Sequence, residues 1–252
     1  MTADTTVAPG DPELLGQTVV VIGGSAGIGL ETARQARAEG ASVILAARHP
    51  GRLERAAAEL GARRSAAFDA TDWNALARFF DGLPEPVDHV MVTGPGPYYA
   101  PLAELDREQA QRDWHSHVWL AVAVAQHAVG RVRPGGTLLF MSGTGGRSRG
   151  PGLSLIAAGT AAMPALIANL AVEVAPIRVN LIAAGFVDTP LSAELLGEDL
   201  ETRREQLRAT LPTGRVTGPA DVAALAVHIM TNAALTGATY DIDGGQQLLA
   251  RG

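Results

Sequence analysis

A chain of 252 residues with 47% apolar content is long enough to bury a large core, and α/β chains of this size are commonly one undivided domain, the organisation expected here. Aromatic residues are only 4% of the total and the net charge is −6, with arginines scattered among carboxylates, which argues against a nucleic-acid-binding face and for close helix-on-sheet packing. Cysteine is absent, which excludes disulfides, thiolate catalysis and cysteine-ligated zinc, and the six histidines lack metal-ligand spacing, so no metal is expected.

The stretch from Met1 to Gln17 is polar, with residues 1–14 read as a tail, and lacks the basic start and apolar run of a secretory leader. No span approaches the roughly 18 continuous apolar residues of a membrane helix, so a cytoplasmic protein without membrane partners is expected. From Thr18 onward short β-rich runs alternate with helical patterns, the rhythm of βαβ units around a parallel sheet. Thr18 to Ile22 reads as a fully buried first strand. A helix follows to about Glu39 and closes at Gly40, a C′ residue, before a second strand at Ser42 to Ala47. Strands at 64–68, 89–93, 137–141, 178–183 and 238–242 bring the total to seven. Helices are expected over 71–81, 107–129, 161–174 and 219–231. Pro164 would cost about 3 kcal/mol in a helix interior, so the third of these is expected to begin only a few residues before it, or to kink.

Between the first strand and the first helix lies Gly23-Gly24-Ser25-Ala26-Gly27-Ile28-Gly29. Glycines let a backbone turn sharply and approach a pyrophosphate, while a helix N-terminus offers free N–H groups and partial positive charge. The position, strand before and helix after, favours a dinucleotide over a merely structural turn. A protein selecting NAD(H) usually carries a carboxylate at the end of the second strand for the ribose 2′-hydroxyl; here Ala47 cannot accept that bond, whereas Arg48 can pair with a 2′-phosphate. NADP(H) is therefore favoured over NAD(H). Asp69 is placed to bond the adenine amino group or to cap the following helix.

These features resemble the short-chain dehydrogenase/reductase family, from about Leu15 to Leu248. Gly23, Gly27, Ile28 and Gly29 match the family's glycine turn. Ile177-Arg178-Val179-Asn180, then Ala184-Gly185 and Thr189, match its late signature except for one proline. Thr236-Gly237 and Asp241-Ile242-Asp243-Gly244-Gly245 match its close. The resemblance implies a doubly wound α/β Rossmann fold, a seven-stranded parallel sheet flanked by helices. It also implies a loop carrying Gly185, Val187 and Thr189 over the nicotinamide, with Thr189 holding the carboxamide, and Gly94 beside the cofactor where Val92-Thr93-Gly94-Pro95 replaces Asn-Asn-Ala-Gly.

The family's chemistry rests on Asn, Ser and Tyr-x-x-x-Lys, and here that pattern fails. Gly143 falls in the Ser position, Ile156 in the Tyr position, Thr160 in the Lys position and His117 where Asn is expected, with no lysine nearby. Reduction of a carbonyl still needs a hydrogen-bond or proton donor. The candidates are His117, with a reference pKa of about 6.5, Ser142, whose side chain should alternate away from Gly143, and Tyr98 and Tyr99 after the fourth strand. Each also has a plain packing role open to it. Arg147 and Arg149 are candidates for an anionic substrate, or belong to a solvated loop. Two function classes follow. One is an NADP(H)-dependent oxidoreductase with a rearranged site, acting on a small carbonyl, quinone-like or enone substrate. The other is an NADP(H)-binding protein without ordinary redox turnover: a sensor, an inactive partner subunit, or a non-redox isomerase or cyclase. Apolar helices around 114–129 and 161–174 imply self-association, and the family resemblance implies a homodimer or homotetramer through them.

Overall fold

The computed structural model describes residues 13–84, 86–94, 96–147 and 149–249, so Pro95 and residues 1–12 of the expected tail lie outside them. In chain order the main elements are β1 (Thr18–Ile22), α1 (Gly27–Ala38), β2 (Ser42–Ala47), α2 (Pro50–Leu60), β3 (Arg64–Ala67), α3 (Trp73–Asp81) and β4 (Val87–Val92). They continue with α4 (Arg107–Trp114), α5 (Leu120–Ala128), β5 (Val132–Gly143), α6 (Ser154–Glu173), β6 (Arg178–Ala184), α7 (Pro190–Leu196), α8 (Leu200–Thr210), α9 (Pro219–Thr231) and β7 (Thr239–Ile242). The strands form one parallel sheet in the order β3-β2-β1-β4-β5-β6-β7, the doubly wound Rossmann arrangement. The order reverses between β1 and β4, where Ile22 pairs with Val92, and a crevice opens beyond these carboxyl ends.

Strand alternation sorts the core into two layers. Val20, Ile22, Val90, Leu138 and Phe140 face α3, α5 and α6, while Val19, Val21, Met91 and Leu139 face α1, α2 and α9. Leu14 is fully buried in the second layer and its N–H reaches Glu39 O at 3.0 Å, so the tail read as ending at residue 14 stops short of it.

The end of the sheet remote from the crevice is held by the Arg178 guanidinium. It donates to the carbonyls of Gly135 at 3.1 Å, Ile229 at 2.8 Å, Met230 at 2.7 Å, and Asn232 and Leu235 at 3.0 Å. Helix C-termini leave carbonyls without intrahelical partners, so one arginine on β6 satisfies the end of α9 and ties it to the sheet.

Four expectations need correction. Helices α2, α7 and α8 had not been anticipated. The helix read over 107–129 is interrupted by a π turn at His115–Trp119, in which the Leu120 N–H reaches back five residues to His115 O. Helix α6 starts at Ser154, well ahead of Pro164. The bond lost to the proline is offset by burial of Ile156, Met163, Ile167 and Leu170 along one face, each contributing about 1.5–3 kcal/mol. The same 20-residue helix is long and apolar enough to cross a membrane by length and composition, contrary to the sequence reading; in the fold it packs over β5 and β6.

Candidate active site

The crevice divides into a long cleft of about 890 Å³ beside the glycine turn and an adjoining cavity of about 470 Å³. Both are lined by Ile28, Thr93, Gly94, Thr189 and Leu191, so they are continuous.

In the cleft, local backbone geometry explains the glycines. Gly23 has φ of 90°, and a side-chain carbon there would collide with the Thr93 hydroxyl and carbonyl oxygens. A carbon on Gly29 would collide with the Gly23 carbonyl, so the turn closes on itself with no space to spare. Ala26 at the N-cap of α1 offers no side-chain acceptor and the first turn holds no acid, which leaves the helix N-terminal amides unspent. Gly23, Ser25, Ala26, Gly27, Ile28 and Gly29 all line this cleft. Arg48 and Asp69 line it too, together with Arg52, which sequence reasoning passed over. Neither Arg48 nor Arg52 has a carboxylate within ion-pair distance among the described residues. Asp69 does not cap α3: its Oδ1 accepts from the Thr71 N–H at 2.9 Å and hydroxyl at 2.8 Å, while Asp72 takes the cap by accepting from Asn74 and Ala75 N–H at 3.0 Å.

Gly185, Val187 and Thr189 line the cavity. A carbon on Gly185 would lie 2.5 Å from Asp243 Cβ, which accounts for glycine packed against the Asp-Gly-Gly segment. Thr189 caps α7 reciprocally with Ser192, its N–H donating to the Ser192 hydroxyl at 2.8 Å and its own hydroxyl accepting from the Ser192 N–H at 3.3 Å.

His117, Gly143, Ile156 and Thr160 converge on this cavity, as do Ser142 and Tyr99. Thr160 turns its hydroxyl into its own helix, donating to Ile156 O at 2.7 Å. A carbon on Gly143 would sit 3.7 Å from Thr160 Cγ2 and Ala184 O, ordinary contact with room to spare. No lysine exists anywhere in the chain to replace Thr160 from another element. Ser142 and Gly143 both line the cavity, at the end of β5 where the chain enters the short helical turn Thr144–Arg147.

His117 lies in the π turn with its side chain 16% exposed. Its Nδ1 is 2.8 Å from the Asp113 carbonyl oxygen and 3.5 Å from that residue's carboxylate. A carbonyl can only accept, so Nδ1 carries the proton and Nε2 is the free nitrogen, 3.7 Å from where a carbon on Gly94 would stand. Burial raises the Asp113 carboxyl above its usual range, with His117 pulling it back.

Three candidates move out of the site. Tyr98 lines neither space, and its phenolic oxygen accepts from the Asp106 N–H at 3.0 Å at the start of α4. Arg147 forms a bidentate pair with Asp241 at 2.7 and 3.1 Å, and Arg149 donates to Gly146 O at 3.3 Å; neither lines the cavity. Tyr99 remains, 55% exposed, with partial burial and Asp113 pushing its phenol above the usual value. Sequence reasoning also missed Gln246 and Arg203, which line the cavity.

A doubly wound sheet with an uncapped glycine turn at its switch point defines a nucleotide-binding α/β protein. Residues 23–247 match the family profile described as enoyl-(acyl carrier protein) reductase, and the chain belongs to the short-chain dehydrogenase/reductase family. It is 29% identical to the short-chain dehydrogenase/reductase ATR9 of Stachybotrys chlorohalonatus, over 93% of this chain and 98% of that one. The solved structure of MalC reductase/Diels-Alderase from Malbranchea aurantiaca superposes with a TM-score of 0.85 at 27% identity, covering 95% of this chain and 99% of that one. A small-chain dehydrogenase solved in complex with NADPH gives 0.79 at 27% identity, over 92% and 99%. The relatives place the chain among oxidoreductases that use a nicotinamide cofactor.

Proposed function

We propose that this chain is an NADP(H)-dependent oxidoreductase in which His117 handles the proton that a Tyr handles elsewhere in the family. Its substrate is a small carbonyl, enone or quinone-like compound. The observation that carries the reading is the fixed His117 tautomer, which leaves Nε2 free in a cavity where Tyr99 and Arg203 are the other titratable side chains.

The glycine cradle fits a dinucleotide: the unspent amides around Gly27 to Gly29, with Ser25 and Ala26, would hold the diphosphate. Arg48 and Arg52 would pair with a 2′-phosphate, and the second Asp69 oxygen with the adenine amino group. Gly94, Gly185, Val187 and Thr189 would surround the nicotinamide. When bound, the cofactor supplies or accepts a hydride. The NADPH-bound relative supports this choice.

The chain's own part is binding and proton transfer. With Nδ1–H held by the Asp113 carbonyl, neutral His117 presents a bare Nε2 and acts as a base, taking the hydroxyl proton as an alcohol is oxidised. Donating a proton to a reduced carbonyl requires the imidazolium form of the same ring, which stands 3.5 Å from the Asp113 carboxylate. Ser142 would orient the substrate oxygen. His117→Ala is expected to lose about 10²–10⁴ of turnover, while Tyr99→Phe changes little. The measurement is NADPH oxidation with a panel of quinones, enones and ketones from pH 5 to 9. Full turnover in His117→Ala would sink the assignment.

A second reading is favoured by the absence of Tyr and Lys from their positions and by similarity to a protein named as both a reductase and a Diels-Alderase. In it the chain binds NADP(H) without ordinary redox turnover, as a cyclase, isomerase, sensor or partner subunit. Saturable NADPH binding with no oxidation by any acceptor would select it. In either case we propose one domain in a cytoplasmic homodimer or homotetramer. Trp119, Val129 and Val172, exposed along and beside α5 and α6, support the association.

A further inference from the structure

The cavity walls are mostly apolar, with Leu153, Ile156, Phe186, Leu191 and Leu195 among them. Among the described residues no Asp or Glu lines it, and Arg203 is the permanently charged side chain that does. Helix α8 carries three arginines with different surroundings. Arg204 pairs with Asp188 at 2.6 Å and Glu201 at 3.1 Å, and Arg208 pairs with Glu201 at 3.0 Å. Arg203 is half-buried and, among the described residues, meets only the neutral amide oxygen of Gln206, at 2.7 Å. A guanidinium on an apolar wall without a carboxylate is under-compensated, and an incoming anion would complete it.

A second group points the same way. The Gln246 amide oxygen accepts the Phe186 N–H at 3.0 Å, which fixes the amide orientation and leaves its NH₂ donors without a partner among the described residues. The cavity thus offers a cation, spare donors and no acid.

We propose that the substrate is a monoanion, a carbonyl compound bearing a carboxylate, with the carboxylate held by Arg203 and assisted by Gln246. A planar guanidinium matches a carboxylate through two parallel N–H bonds, whereas the second charge of a phosphate monoester would stay uncompensated. The cavity volume of about 470 Å³ lies within the usual range for small-molecule sites. This inference rests on the proposed function for the identity of the reacting carbonyl, but its test reads binding alone.

Protein saturated with NADP⁺, which occupies the basic cleft, would be titrated calorimetrically with 4-oxo-4-phenylbutanoate and 6-oxo-6-phenylhexanoate and with their methyl esters. At least one acid should bind about tenfold or more tightly than its ester, Arg203→Gln should erase the difference, and Arg203→Lys should keep part of it. Thermal melting checks that the variants fold. Equal binding of acid and ester by the unmodified protein, or a preference that survives in Arg203→Gln, would overturn the proposal. Acid preference without NADPH oxidation would keep the anion site and remove the redox reading; oxidation of neutral enones without acid preference would do the reverse.

Discussion

The cleft and the cavity share a wall of five residues, yet they are specified in different ways. In the cleft the backbone is the recognition element. Gly23 and Gly29 have no space for one added carbon, and the groups on offer are helix-end amides that every residue type except proline carries. In the cavity the chemistry resides in side chains, and at Gly143 a carbon would meet its neighbours at an ordinary 3.7 Å. Backbone-borne binding therefore resists change, because most substitutions break the turn. Side-chain-borne chemistry can be exchanged residue by residue while the strands and helices stay where they are.

Substitution of the two glycine classes is the strongest way to break this contrast. Gly29→Ala should weaken NADPH binding about 100-fold or more in a fluorescence titration, since the new methyl meets a main-chain oxygen. Gly143→Ala should leave that affinity unchanged, and equal losses in both would remove the distinction. A smaller effect sharpens the cleft's selectivity: Arg48→Ala should weaken NADPH about 10- to 30-fold while NADH is unaffected.

The least of the expected effects compares two histidines. His117 lines the cavity, whereas His89 on β4 is buried and its pKa is lowered to about 3, first by burial and then by Arg178 and Arg133. The unfolded chain takes up this proton below about pH 6.5, but the folded chain refuses it until about pH 3, so stability is full above the first value and declines between the two. Urea unfolding should show a loss of roughly 1–1.5 kcal/mol between pH 7 and 5.5 from this group, absent in His89→Leu. An unchanged slope in that variant would assign the loss to other groups.

The strands and the glycine turn were legible in the sequence because hydrophobic runs and positive-φ glycines are local signals; β1 and β2 fall at the residues read for them, and Gly40 takes a φ of 86°. The start of α6 was misread because the proline rule is local while burial of that helix face is tertiary. The break between α4 and α5 has no compositional mark, since a π turn is a change of hydrogen-bond partner alone. Tyr98 and Tyr99 are adjacent and equivalent on paper; the capture of one phenol by the Asp106 N–H separates them. Arg203, Arg204 and Arg208 likewise look alike until their carboxylate neighbours are located. His117, Gly143, Ile156 and Thr160 were singled out by counting from flanking motifs, and the fold brings all four to one cavity.

The π turn at His115–Trp119 makes the direction of His117 a matter of chain length as well as residue identity. Each residue in a helix advances its side chain by about 100° around the axis, so deleting one residue between Leu120 and His117 would swing the imidazole toward a different compass bearing. A shortened relative that retained histidine in the aligned column would still have turned that imidazole out of the cavity.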